Sequence, residues 1–252
     1  MQFLQFFTWG AWLISLGGYM GSTLHFEGGQ IGAIFATMGI AALFMPGLTG
    51  IIADKWVNAE RLYGLLHLVG AGALFYASTA TTYQQMYIAM LLNMLAYMPT
   101  LSLANTVSYN ALEKYRMDLV KDFPPIRVWG TVGFICAMWV VDLTGFKHSA
   151  SQLYVAATAA LVLGLYAFTL PPCPPERSEK KTWLSAFGLD ALVLFKQKKM
   201  AIFFLFSMLL GAALQITNTY GDLFLSSFAS IPEYADSFGV KHSVILLSIS
   251  QM

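Results

Sequence analysis

Between Leu62 and Leu112 the chain carries no Asp, Glu, Lys or Arg. A charge-free run of that length has room for two membrane helices of about 20 residues each. In hydrocarbon every backbone N–H and C=O must be paired within the protein, and a helix does so within its own segment. Only "ATTYQQ" interrupts it, which predicts a tight helical hairpin. Composition extends the reading to the whole molecule. Soluble domains average about 25% charged residues, whereas this 252-residue chain has 11%, with 57% hydrophobic. The expected fold class is an all-α polytopic membrane protein. A net charge of +1 gives no reason to expect a nucleic-acid partner.

Apolar length and the breaks between runs predict seven spans and the start of an eighth. These are Phe3–Leu24, Gly32–Ala53, Leu62–Thr81, Tyr83–Val107, Pro125–Leu143, Ser151–Leu170 and Met200–Leu225, with the last beginning near Lys241. In the fifth, the prolines of "DFPPIRVWGTVGFICAMWVV" suit a first helical turn, where an N–H has no partner to lose. Lys55, Arg61, Lys114, Arg116, Lys121 and Arg127 fall on the even-to-odd connections, as do Arg177, Lys180, Lys181, Lys196, Lys198 and Lys199. Only Lys147 and Lys241 fall on the other side. Positive residues favour the cytoplasm, which places the N-terminus inside.

After the sixth span comes "PPCPPERSEKKTWLSAFGLDALVLFKQKK". Its prolines cannot continue a helix, and "TWLSAFGLDALVLF" is amphipathic enough to lie along the membrane surface. Residues 1–171 are thus expected as an N-terminal six-helix half, 172–199 as a cytoplasmic linker with an amphipathic helix, and 200–252 as the start of a second half. That is the layout of a transporter built from two six-helix halves. Met1 enters the first span without a basic flank and Met252 falls inside an apolar run, so a longer polypeptide is expected.

Nothing in the sequence argues for an enzyme. His25, His67, His148 and His242 are scattered, without metal-ligand spacing or a nearby nucleophile, and each is expected as an interfacial or packing residue. No cofactor and no metal are expected. Cys136 lies in an apolar run and Cys173 in a polar loop, a placement that implies no disulfide framework. The first apolar stretch lacks the basic leader and cleavage site of a signal peptide.

Polar residues inside the spans carry the functional reading. Arg127, Thr131 and Phe134 share one face of the fifth helix. Gln215 and Asn218 share a face of the seventh, and Gln251 stands in the eighth. Amide and guanidinium groups in hydrocarbon are costly unless they face the bundle interior or water, so these residues are expected to line a cavity. Taken singly, each amide serves equally well as interhelical glue. Together they offer many donors, a few acceptors and a flat ring, which suits a neutral, planar solute with hydroxyls, such as a base joined to a sugar.

The second span closes with "GLTGIIADKW", in which Gly47 and Gly50 permit close helix approach and Asp54 and Lys55 supply opposite charges. This resembles the loop signature of the major facilitator superfamily, whose aspartate helps hold the cytoplasmic side closed; the basic tail of that signature is degraded here to "WVNAER". Together with "FPPIRVWGTVGFI", "MAIFFLFSMLLGAALQITN", "GIAALFMPGLTGIIADKW" and "SISQ", the chain is similar to the bacterial nucleoside:proton symporters of that superfamily over essentially its whole length. The resemblance implies a helical bundle that imports nucleosides with protons across the bacterial inner membrane, working as a monomer. It implies nucleoside contacts from Arg127, Thr131, Phe134, Gln215, Asn218 and Gln251. In the family pattern a glutamate follows three residues after that glutamine, beyond Met252. Asp142 and Asp222 read as helix-boundary residues, so the coupling carboxylate is expected outside the chain. The alternatives are a carrier of the same fold for sugars or organic ions and a seven-helix receptor or retinal-type protein. Against the retinal type stands the absence of lysine within Met200–Leu225.

Overall fold

The computed structural model describes residues 1–175 and 189–251. The first expected span is interrupted: α1 (Gln2–Gly10) and α2 (Leu16–Ser22) are joined by a tight turn. Ser15, at the N-cap of α2, donates its buried hydroxyl to Gln152 at 2.7 Å instead of capping a helix end. α3 (Gly28–Lys55) opens on a capping box in which Glu27 and Gln30 bond reciprocally. α4 (Ala59–Ser78) and α5 (Tyr83–Lys114) form the predicted hairpin. Thr82 and Gln85 make a second capping box that starts α5 immediately after the turn.

The fifth span corrects one expectation. α6 runs Leu119–Leu143, and the residue that starts it is Asp118, whose carboxylate accepts from Val120 N–H at 2.8 Å and Lys121 N–H at 3.2 Å. Pro124 and Pro125 therefore sit inside the helix rather than in its first turn. Their missing donors leave carbonyls on the exposed residues Val120 and Lys121, at the polar end of the helix where water can reach them. Because the helix starts earlier, Arg127 lies eight residues past Leu119, about 12 Å along the axis at 1.5 Å per residue. That is deeper than a flanking charge.

α7 (Ser151–Ala167) and α8 (Lys198–Ser227) follow. "TWLSAFG" of the expected surface helix lies outside the described residues; the remainder, Leu189–Lys196, forms 3-10 turns. The eighth span begins with α9 (Phe238–Lys241), breaks at His242, and resumes as α10 (Ser243–Ser248). α3, α5, α6 and Lys198–Ser230 are each long and apolar enough to cross a membrane. Cys136 and Cys173 form no disulfide.

Packing is pairwise: α1 against α6, α4 against α7, and α5 against both α3 and α4. Trp12, Leu16, Ile34, Met90, Met94 and Met138 form the centre of the larger core cluster. The α1–α6 contact is set by small residues. A Cβ on Gly133 would stand 2.1 Å from the carbonyl oxygen of Phe3, and one on Gly10 would stand 2.5 Å from that of Phe134. The two backbones touch directly, which is how membrane helices gain packing without a hydrophobic drive.

At the basic end, buried Glu60 ties the connection to α4. Its carboxylate accepts from Cys173 N–H at 2.8 Å, while Ala59 N–H donates to Cys173 C=O at 3.0 Å. Glu60→Ala strands that buried N–H, and a loss of about 1–3 kcal/mol is expected. A thermal unfolding midpoint in detergent equal to that of the parent would refute it.

Candidate functional site

A cavity of about 210 Å³ lies where α1, α6, α8 and the last turn meet. At ~30 Å³ per molecule it has room for about seven waters, the scale of a small polar solute. α6 lines it with Arg127, Thr131 and Phe134, as helical spacing predicts; α8 contributes Asn218 and Leu214, and the last 3-10 turn contributes Gln251. The structure thus brings together five of the six residues singled out in the sequence. Gln215 is the exception. It donates to Thr219 Oγ1 at 3.2 Å and lines a separate apolar groove beside Phe35, Gly39 and Tyr220.

Phe6, Trp9 and Leu13 complete the wall, and sequence reasoning missed all three. Arg127 lays its guanidinium over the Phe6 ring, 4.1 Å from the centroid. This cation–π contact holds the only charged side chain among the described lining residues in place. Trp9 stands edge-on to Phe134 at 6.3 Å and tilted against Tyr97 at 5.6 Å. A charged fork, flat rings and two amides therefore surround one small space. It can hydrogen-bond the edge of a planar solute and stack on its face.

Behind this wall Gln5 is wholly satisfied. Its amide donates to Thr100 at 2.8 Å, its side-chain oxygen pairs with Tyr63 and His67 at 2.7 Å each, and its backbone carbonyl accepts from Tyr97 at 2.7 Å. This buried network fixes α1 against α4 and α5, and with it Phe6 and Trp9. His67 is thus a packing residue, as expected.

At the end of α3, Gly47, Gly50, Asp54 and Lys55 sit as the spacing requires, in the last turns of the helix. A Cβ on Gly50 would meet nothing within 4 Å, so among the described residues no helix makes a close approach there. Asp142 and Asp222 depart most from expectation. They lie near the ends of their helices, as expected, but are buried there, 5% and 0% exposed. His242 Nδ1 lies 2.6 Å from Asp142, and His148 Nε2 lies 3.4 Å from Asp222. These two histidines, expected as interfacial or packing residues, each lie against a buried carboxylate. No metal-binding cluster of His, Cys, Asp and Glu occurs among the described residues.

The model of the nucleoside H+ symporter family matches residues 1–252. A xanthosine permease of Escherichia coli (strain K12) is 56% identical over 253 residues, spanning 100% of this chain and 60% of that protein. Nucleoside permease NupG of the same strain is 53% identical with the same coverage. The crystal structure of nucleoside transporter NupG superposes with a TM-score of 0.89, and that of a mutant form with 0.93; each covers 99% of this chain and 62% of the other. The chain thus spans about 60% of the length of these relatives. Their architecture, a major-facilitator-type helical bundle, is also that of this multi-pass membrane protein. By the match along its whole length, the chain belongs to the nucleoside H+ symporter family.

Proposed function

We propose that this chain carries the N-terminal half, residues 1–171, the connection 172–199 and the beginning of the second half of a secondary transporter that imports nucleosides together with protons. The observation that carries the reading is the cavity in which Arg127, Asn218 and Gln251 face the Phe6–Trp9–Phe134 rings. Guanidinium and amides meet the polar edge of a base and the hydroxyls of a ribose, while the rings meet the base's face. Thr131 adds a hydroxyl at the rim. Gln215, one turn from Thr219 on α8, joins the site if the helix rotates toward the cavity. Names of the relatives, nucleoside permease and xanthosine permease, support the solute class.

The carrier works as a monomer in the bacterial inner membrane with its N-terminus in the cytoplasm. The basic connections then lie inside, and the ends of α6 and α8 that carry Asp142 and Asp222 lie outside. Alternating access follows from the two parts rocking about the cavity, with Asp54 and Lys55 at the inner gate. The test is radiolabelled uridine uptake by the full-length carrier in proteoliposomes. Uptake several-fold faster under an inwardly directed proton gradient is expected. Uptake indifferent to the gradient removes the proton, and no uptake or competition by any nucleoside removes the solute.

A further inference from the structure

At the end of the bundle opposite the basic connections, ionisable side chains from both parts of the chain meet in one buried cluster. From α6 and the turn after it come Asp142, Lys147 and His148; from α8 and the start of α10 come Asp222, His242 and Ser243. Lys147 Nζ donates to the carbonyls of Val240 and Lys241 at 3.2 and 2.8 Å and to Ser243 Oγ at 2.9 Å. Ser243 in turn donates to Asp222, so the cation reaches the second carboxylate through a hydroxyl. Among the described residues the other packed elements bring no further charge to the cluster. α2 presents Gly18, and its one ionisable side chain, Tyr19, interacts with Tyr154 on α7. α7 bonds the carbonyl of Lys147 through Gln152 at 3.0 Å. On α9, Lys241 directs its ammonium to Asp236 at 2.8 Å.

One pair in this cluster is incomplete. His148 Nε2 and Asp222 Oδ2 are both buried and lie 3.4 Å apart, and neither has a hydrogen-bond partner among the described residues. The imidazole keeps 34% of its side chain in contact with the surroundings, while the carboxylate is 0% exposed. The imidazole ring thus has an edge open to the surroundings, whereas the carboxylate behind it has none. The carboxylate is also held against the backbone of α2: a Cβ on Gly18 would lie 2.1 Å from Oδ2. Contacts of α8 with the preceding helices concentrate here, since its buried residues are Asn218, Thr219 and Asp222. Trp139 Nε1 to Ser248 Oγ, at 3.0 Å, ties α6 to α10 alongside.

We propose that His148 and Asp222 form a proton-binding site that closes this face of the carrier. Hydronium gives its proton to the imidazole of His148, whose ring is partly exposed, and leaves as water, so that Nε2 carries an N–H. The new N–H donates to Asp222 Oδ2, and the imidazolium–carboxylate pair draws α8 onto the turn after α6. Asp142, His242 and Lys147 are the fixed part of the same contact. The sign is set by charge. A proton on the imidazole adds attraction to a buried carboxylate, so closure strengthens as pH falls, and the window over which it is tested is about pH 8 to 5. The proposal rests on the transport reading only for the side from which the proton comes.

The test needs no solute. In the full-length carrier with every native cysteine replaced, Cys136→Ala and Cys173→Ala among them, Leu13→Cys places one thiol at the cavity wall, and a membrane-impermeant maleimide is applied from outside to right-side-out vesicles. Labelling is expected to slow as pH is lowered across that window. Asp222→Asn and His148→Gln are each expected to speed labelling roughly 5- to 150-fold, the range over which one coupled site biases a two-state equilibrium, and to abolish its pH response. Asp236→Asn, outside the cluster, is expected to change neither. A parent whose labelling is flat with pH overturns the proposal without reference to any variant. So does His148→Gln, a partly exposed change, that labels at the parent's rate. A pH response that persists in a carrier taking up no nucleoside leaves this inference standing and removes the solute reading.

Discussion

Nucleoside affinity is expected to fall about 10- to 150-fold when Arg127 is replaced by alanine, the loss of a hydrogen bond from a charged donor at 1.5–3 kcal/mol. Three features of the site set that size. The guanidinium is the only charge among the described lining residues, it lies well inside α6, and the Phe6 ring holds it in one orientation. A planar fork held this way makes two parallel bonds to a base or a pair of hydroxyls, and a lysine at the same place makes none of that geometry. Arg127→Lys is thus expected to recover only a minor part of the loss. The measurement is equilibrium binding of labelled uridine to the purified full-length carrier, with membrane insertion checked in parallel. Parental affinity in Arg127→Ala, or an inverted protein, would mean that the arginine serves topology alone.

The second large effect is on stability. Gly133→Ala adds one methyl group, yet its Cβ meets Phe3 O at 2.1 Å and Phe3 C at 2.8 Å, both backbone atoms that cannot swing away. α1 and α6 must separate, at a cost near the top of the overpacking range, about 3 kcal/mol. For a chain of this size that corresponds to roughly 6–12 °C in the unfolding midpoint. Since α1 and α6 supply most of the cavity wall, uptake is expected to drop with it. Gly50→Ala is the matched control: nothing lies within 4 Å of its Cβ, so the helix gains propensity at no packing cost. Equal midpoints for the two variants would show that the α1–α6 contact is looser than its geometry.

How far the sequence reveals this depends on where the partners of each residue lie. Arg127, Thr131 and Phe134 are legible because a single helix fixes their spacing, whatever surrounds it. Phe6 and Trp9 are not: "MQFLQFFTWGAWL" is apolar almost throughout, and no periodicity separates a cavity-facing ring from a lipid-facing one. Gln215 lies apart from the cavity for a related reason. Sharing a face with Asn218 at i, i+3 still leaves an angular offset, and at the junction of α3 and α8 that offset separates cavity from groove. The prolines of "DFPP" mislead because two of them can be accommodated in a second turn whose carbonyls reach water, while the capping residue, Asp118, lies six positions earlier than Pro124. Asp142 and Asp222 mislead most. Position along a helix gives depth but not cover, and the groups that cover Asp142 include one 100 residues away, His242.

One feature of α8 has a mechanical side. The helix is held to the preceding helices near Asn218 and Asp222, while the most apolar stretch nearer Lys198 has no buried residue in the described structure. From Asn218 back to Lys198 is about 30 Å of helix, so a tilt of about 10° about the held end carries the other end some ~5 Å. That is nearly the spacing of one helical turn. Among the described residues α8 meets the preceding helices beside the solute cavity and the His148–Asp222 pair, so one stretch of helix serves both the solute and the proton.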